Sequence, residues 1–106
     1  MEHLPWSPSE KRLARAVFAR VATAEEAEVL QEFKQQANAI AEIEDLWVLS
    51  RTLEQRERDL REKYDYRYSQ LLFVFGRLVR EGRVQESELR GLSAEKLAYI
   101  RRIAAL

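Results

Sequence analysis

The sequence predicts an all-α chain: an elongated helical stalk, residues 1–63, carrying a small helical head, residues 64–106. Three observations lead there. From Ala24 to Lys63 the chain has neither proline nor glycine, and its apolar residues recur at three- and four-residue spacing. The dense apolar run Leu71–Phe75 continues through Leu78 and Val79 to a helix-stopping Glu81-Gly82. No second strand-like run is present for it to pair with, although aromatic and β-branched residues also suit a strand.

Pro5-Trp6-Ser7-Pro8-Ser9-Glu10 opens the first helix. Ser7 is placed to cap, Pro8 suits the first helical position, and Glu10 stands where a capping box needs it. Trp6 is expected to staple onto the following apolar face. Leu13, Ala16, Val17 and Phe18 carry this helix to about Val21. Thr23 and Glu26 repeat a capping-box pattern, so a bend or loop is expected near Thr23, although Ala22 and Ala24 would equally let the helix run straight through.

The segment 24–63 then reads as one amphipathic helix, roughly 60 Å long at about 1.5 Å per residue. Its stripe runs through Ala27, Leu30, Phe33, Ala37, Ile40, Ile43, Leu46, Trp47, Leu49, Leu53 and Leu60. A domain of this size has a radius of gyration near 13 Å, so one head cannot cover such a stripe. A second copy can, and a homodimer is expected with Ile40, Ile43, Leu46, Trp47, Leu49 and Leu53 in its interface. Ile40, Ile43 and Leu46 are spaced three and three, which breaks a strict heptad and argues against a uniform coiled coil.

Past Lys63 come Tyr64, Tyr66 and Tyr68, then the helix 71–81, which is apolar nearly all round and belongs in a core. Val84–Leu89 suits a short helical turn. Gly91-Leu92-Ser93 stops and recaps the chain, and Ala94–Ala104 forms a last amphipathic helix with Leu97, Ile100 and Ile103.

Composition narrows the chemistry. There is no cysteine, one histidine (His3) and three glycines. Thiolate metal sites and glycine-rich phosphate loops are therefore excluded, and no His-Glu-x-x-His spacing occurs. Carboxylate pairs such as Glu25/Glu28 and Asp59/Glu62 are interleaved with cations and read as solvated faces. The expectation is no enzyme, no cofactor and no metal. No apolar run reaches the roughly 20 residues of a membrane span, and Met1–Pro5 has neither region of a signal peptide. A cytoplasmic protein is expected.

Net charge is zero, with five Lys/Arg against nine Asp/Glu in residues 1–50 and thirteen against nine thereafter. That balance gives a polyanion no long-range pull, so nucleic acid is not the expected partner. The tyrosines and the basic head keep a nucleic-acid-binding dimer as a lesser alternative. Trp47 is the most informative single residue. It suits a dimer core, a partly exposed anchor for another protein, or both at once.

The chain resembles the fluorescence recovery protein family. The resemblance is carried by Pro5-Trp6-Ser7 with Glu10, by Asp45-Leu46-Trp47, Leu49 and Leu53, by Lys63-Tyr64-Asp65 and Arg67, by Phe73-Val74-Phe75, and by Glu81-Gly82 and Lys96. It implies a helical dimer that binds the C-terminal domain of orange carotenoid protein and speeds its return to the dark form. It implies partner contacts at Trp47 and at Phe73, an aromatic of the head surface. The polar positions depart from the family: Ser50 and Arg51 stand for its His and Asp, Glu57 for an Arg, and Tyr99 for a Lys of the last helix. Arg51 and Glu57 exchange the family's two signs. Six residues apart, they are not helix neighbours, so they meet across an antiparallel dimer seam or not at all. The resemblance thus implies a divergent regulator of weak or altered activity. The alternative is a helical dimeric adaptor or scaffold for a different bacterial protein.

Overall fold

The computed structural model describes residues 4–106. Four α-helices and one 3-10 turn make up its regular structure: α1 Pro8–Asn38, α2 Ile43–Lys63, α3 Leu71–Arg80, the 3-10 turn Glu86–Leu89, and α4 Ala94–Ala104. The all-α expectation holds, and so do the cap of α1, the helical reading of 71–80 and the span of α4. The Glu10 amide donates to Ser7 Oγ at 3.1 Å and the Ser7 amide to Glu10 Oε1 at 3.0 Å, closing the capping box. Gly82 takes φ 76°, the left-handed conformation in which a glycine ends a helix without strain.

The long helix is corrected at both ends of the expectation. There is no bend at Thr23: α1 runs through it for 31 residues, about 46 Å. The helix does not continue to Lys63 either. It breaks at residues 39–42, and α2 folds back antiparallel along α1. The Ala39 and Ile40 amides bond to Gln36 and Ala37 carbonyls three residues back, tightening the last turn. Glu42 is then extended (φ −127°, ψ 156°), and its amide donates to Asp45 Oδ2 at 3.3 Å. The break falls where the stripe drifts, between Ile40 and Ile43. Folding back lets the two halves of the stripe meet: Phe33 becomes buried, with the Arg56 guanidinium 5.5 Å above its ring. Arg56 also forks onto Glu32 at 2.8 and 3.1 Å.

One core joins the near half of α1 to the head. Trp6, Ala14, Val17 and Val21 pack with Leu71, Phe75 and Leu78 of α3, with Val84, Leu89 and Leu92 of the segment that follows, and with Ile100 of α4. The first turns of α1, sequence-adjacent to the stalk, are thus packed inside the head. Gly76 lets α3 and α4 cross closely, since a Cβ there would run into the Ile103 side chain.

Charge fixes the hairpin on the head. The buried Lys63 ammonium donates to both Glu25 and Glu81. The Tyr64 hydroxyl donates to Glu25 at 2.6 Å, and Arg83 forks onto Glu28 at 2.9 and 3.1 Å. Residues from α1, α2 and the end of α3 therefore share one network, in which every cation has a carboxylate. The molecule is elongated, 54 × 24 × 24 Å with a radius of gyration of 16.9 Å.

Candidate protein-binding surfaces

The far half of the hairpin leaves an apolar stripe in water. On α2, Ile43, Leu46, Trp47 and Leu53 share one exposed face, Trp47 to 52%, while Val48 is exposed on another side of α2 and Leu30 on α1. Large apolar residues grouped in this way mark a contact surface rather than ordinary scatter. The cause is the hairpin's thinness: two helices bury only the faces turned to each other. Ile40 and Leu49, expected in the same interface, are half-buried inside the hairpin. They line a cleft of about 230 Å³ at its tip with Gln36, Ala39, Asp45, Val48 and Thr52. Val48 was missed by sequence reasoning, because it falls off the stripe of a single straight helix.

A second surface lies on the head. Phe73 projects from α3 with 40% of its area exposed, edge-on to Tyr99 of α4 at 6.0 Å between centroids. The Arg102 guanidinium sits 5.0 Å over the Tyr99 ring. Beside Phe73 a shallow cleft of about 160 Å³ is walled by Glu62, Lys63, Asp65, Gln70, Val74 and Arg77. The Asp65 carboxyl is held below its ordinary range chiefly by the Arg67 guanidinium. Nothing in the spacing of residues 73, 99 and 102 signals their juxtaposition, which the crossing of α3 and α4 creates.

The fold does not unite Trp47 with Phe73. Sixteen residues of α2, about 24 Å, separate Trp47 from Lys63 at the edge of the Phe73 cleft. Arg51 and Glu57 are both exposed on α2. Glu57 has a partner in its own helix, Arg61 at 3.1 Å. Arg51 has no carboxylate within 4 Å among the described residues. Within the chain the two do not meet. His3 lies outside the described residues, and no cluster of metal-ligating side chains occurs among those described. No helix of the described residues is long and apolar enough to cross a membrane.

What these surfaces offer is contact area, aromatic edges and charge on a helical hairpin and head. The chain belongs to the fluorescence recovery protein family: the family's sequence model, described as photoprotection regulator fluorescence recovery protein, matches residues 6–104. It is 38% identical to the fluorescence recovery protein of Synechocystis sp. over 102 residues, covering 96% of this chain and 94% of that one. Among solved structures, the fluorescence recovery protein of Fremyella diplosiphon matches with a TM-score of 0.90 at 34% identity. The Synechocystis structure matches with a TM-score of 0.89 at 38% identity. Each comparison covers 96% of this chain and 100% of the solved one.

Proposed function

We propose that this chain is a non-enzymatic regulator of photoprotection, working in the cytoplasm as a homodimer that binds the C-terminal domain of orange carotenoid protein. Binding favours one conformer of that partner and so speeds its return to the dark form, a population shift with no covalent step. The observation that carries the reading is the pair of exposed aromatic surfaces, Trp47 on the hairpin and Phe73 on the head, in a chain of this family. The stripe around Trp47 supports the dimer: Ile43, Leu46, Trp47 and Leu53 of one copy would be covered by the same residues of another, as a two-fold contact requires. Arg51 and Glu57 border that stripe and give the partner-facing surface its charge. Their signs, opposite to those the resemblance carries, make the activity weaker than that of a cyanobacterial relative.

Gel filtration of the chain mixed with orange carotenoid protein, in darkness and under illumination, tests the reading. Co-elution with the illuminated protein, lost in a Trp47→Ala, Phe73→Ala double variant, is expected. Separate elution under both conditions points to the second reading, a dimeric adaptor for another protein, which Arg51 and Glu57 favour.

A further inference from the structure

The cations of the head are mostly neutralised: Arg20 pairs with Glu88, Arg83 with Glu28 and Lys96 with Glu10. One group is not. Lys11, Arg12 and Arg15 are exposed on consecutive turns of α1, with no carboxylate within 4 Å among the described residues. Two of them lie against aromatic rings instead. The Lys11 ammonium is 5.0 Å from the Tyr68 ring centroid, and the Arg15 guanidinium is 5.1 Å from that of Tyr66. The rings are themselves fixed: Tyr66 packs edge-on to Tyr68 at 5.6 Å and to Phe18 at 4.8 Å, and Tyr68 packs on the buried Trp6 at 5.5 Å.

A cation over a ring face is held in place by the ring's quadrupole, yet its N–H donors are not neutralised. Side chains that would otherwise be mobile are thereby aimed outward at low ordering cost. We propose that Lys11, Arg12 and Arg15, backed by Tyr66 and Tyr68, form a docking surface for a short acidic segment of a partner protein. The spacing fits such a segment. Lys11 and Arg15 are separated by one helical turn, a rise of about 6 Å. Carboxylates two residues apart on an extended chain lie about 6.7 Å apart on one face. A nucleic acid fits less well, because the cationic stretch is short. Five residues beyond Arg15, Arg20 is already occupied by Glu88, and the whole chain is neutral, so no track follows a phosphate backbone. The surface is separate from Trp47 and Phe73, and the inference stands independently of the function proposed above.

Fluorescence anisotropy of a dye-labelled hexaglutamate peptide, titrated with the full chain at low salt, tests it. Binding is expected, weakening as salt rises. Lys11→Gln with Arg15→Gln should weaken it at least tenfold, whereas Lys34→Gln with Arg58→Gln, which removes two other exposed cations, should not change it. Tyr68→Phe should retain it, because the ring stays. Circular dichroism establishes that each variant is helical. Absence of binding, equal loss in both double variants, or tighter binding of an oligothymidylate through the same residues would each overturn the proposal.

Discussion

Glu10 and Lys96 form a buried ion pair across 86 positions of sequence, the ammonium 3.2 Å from the carboxylate. Glu10 accepts more than that one bond: the Ser7 amide donates to Oε1 at 3.0 Å and the Ser93 amide to Oε2 at 2.8 Å. Ser7 and Ser93 are the N-caps of α1 and α4. A single carboxylate therefore closes the starts of two helices and pins one to the other. Lys96 returns the favour at the chain's entry, donating to the Pro5 carbonyl at 2.6 Å beneath the Trp6 ring. Removing one partner of a buried pair leaves the other charge uncompensated, typically at about 3–5 kcal/mol. Glu10→Ala should lower the urea midpoint accordingly. Lys96→Met with Glu10→Gln together should cost less than the sum of the two single changes.

The same pair sets an acid limit. Burial pushes the Glu10 carboxyl up, but the Ser7 and Ser93 amides and Lys96 outweigh it, leaving the group below its ordinary range. Glu25 and Glu81 behave alike: burial raises them, and Lys63 with its neighbouring donors brings both below. A carboxylate whose folded value is depressed stabilises the fold above its unfolded value. That contribution disappears as pH falls through the folded value. Stability should therefore be level from neutrality down to about pH 5 and decline below about pH 4.5. Urea melts across pH 3–7 check this, and Glu10→Gln should flatten the decline.

The α3–α4 crossing gives a packing prediction. Gly76→Ala places a methyl against the Ile103 side chain. Overpacking of this kind costs about 1–3 kcal/mol. Thermal unfolding should show the loss, and Ile103→Ala, which removes the Cγ2 methyl that the new Cβ meets, should cost less in the Gly76→Ala background than in the parent.

The exposed stripe gives another. Leu53 is 46% exposed in the single chain, so Leu53→Glu should leave the hairpin folded while preventing its pairing. Sedimentation equilibrium should give twice the 12.5 kDa chain mass for the parent at micromolar concentration and the single mass for the variant. A parent that sediments as a folded monomer would refute the dimer.

The helical class was legible because a 3.6-residue period survives any arrangement of the helices. Ser7, Glu10 and Gly82 announced their caps because capping is a short-range matter. The hairpin was not legible. Residues 39–42 are Ala-Ile-Ala-Glu, with neither glycine nor proline, and two of them are the best of helix formers. The break is made by tertiary gain, the burial of Phe33 and the Glu32–Arg56 fork. The irregular Ile40, Ile43, Leu46 spacing was its one local trace. At the surfaces, Trp47 and Phe73 were read from resemblance. The Tyr99–Arg102 stack and the ring-backed cations depend on contacts between distant segments, which no window of sequence holds.

The measurement that bears most directly on the proposed function is the dark return of illuminated orange carotenoid protein, timed by its absorption spectrum with and without this chain. The account predicts a return faster than that of the carotenoid protein alone, slower than with the Synechocystis relative, and unassisted by Trp47→Ala with Phe73→Ala. A return no faster than in its absence, together with no co-elution in the light, would contradict it.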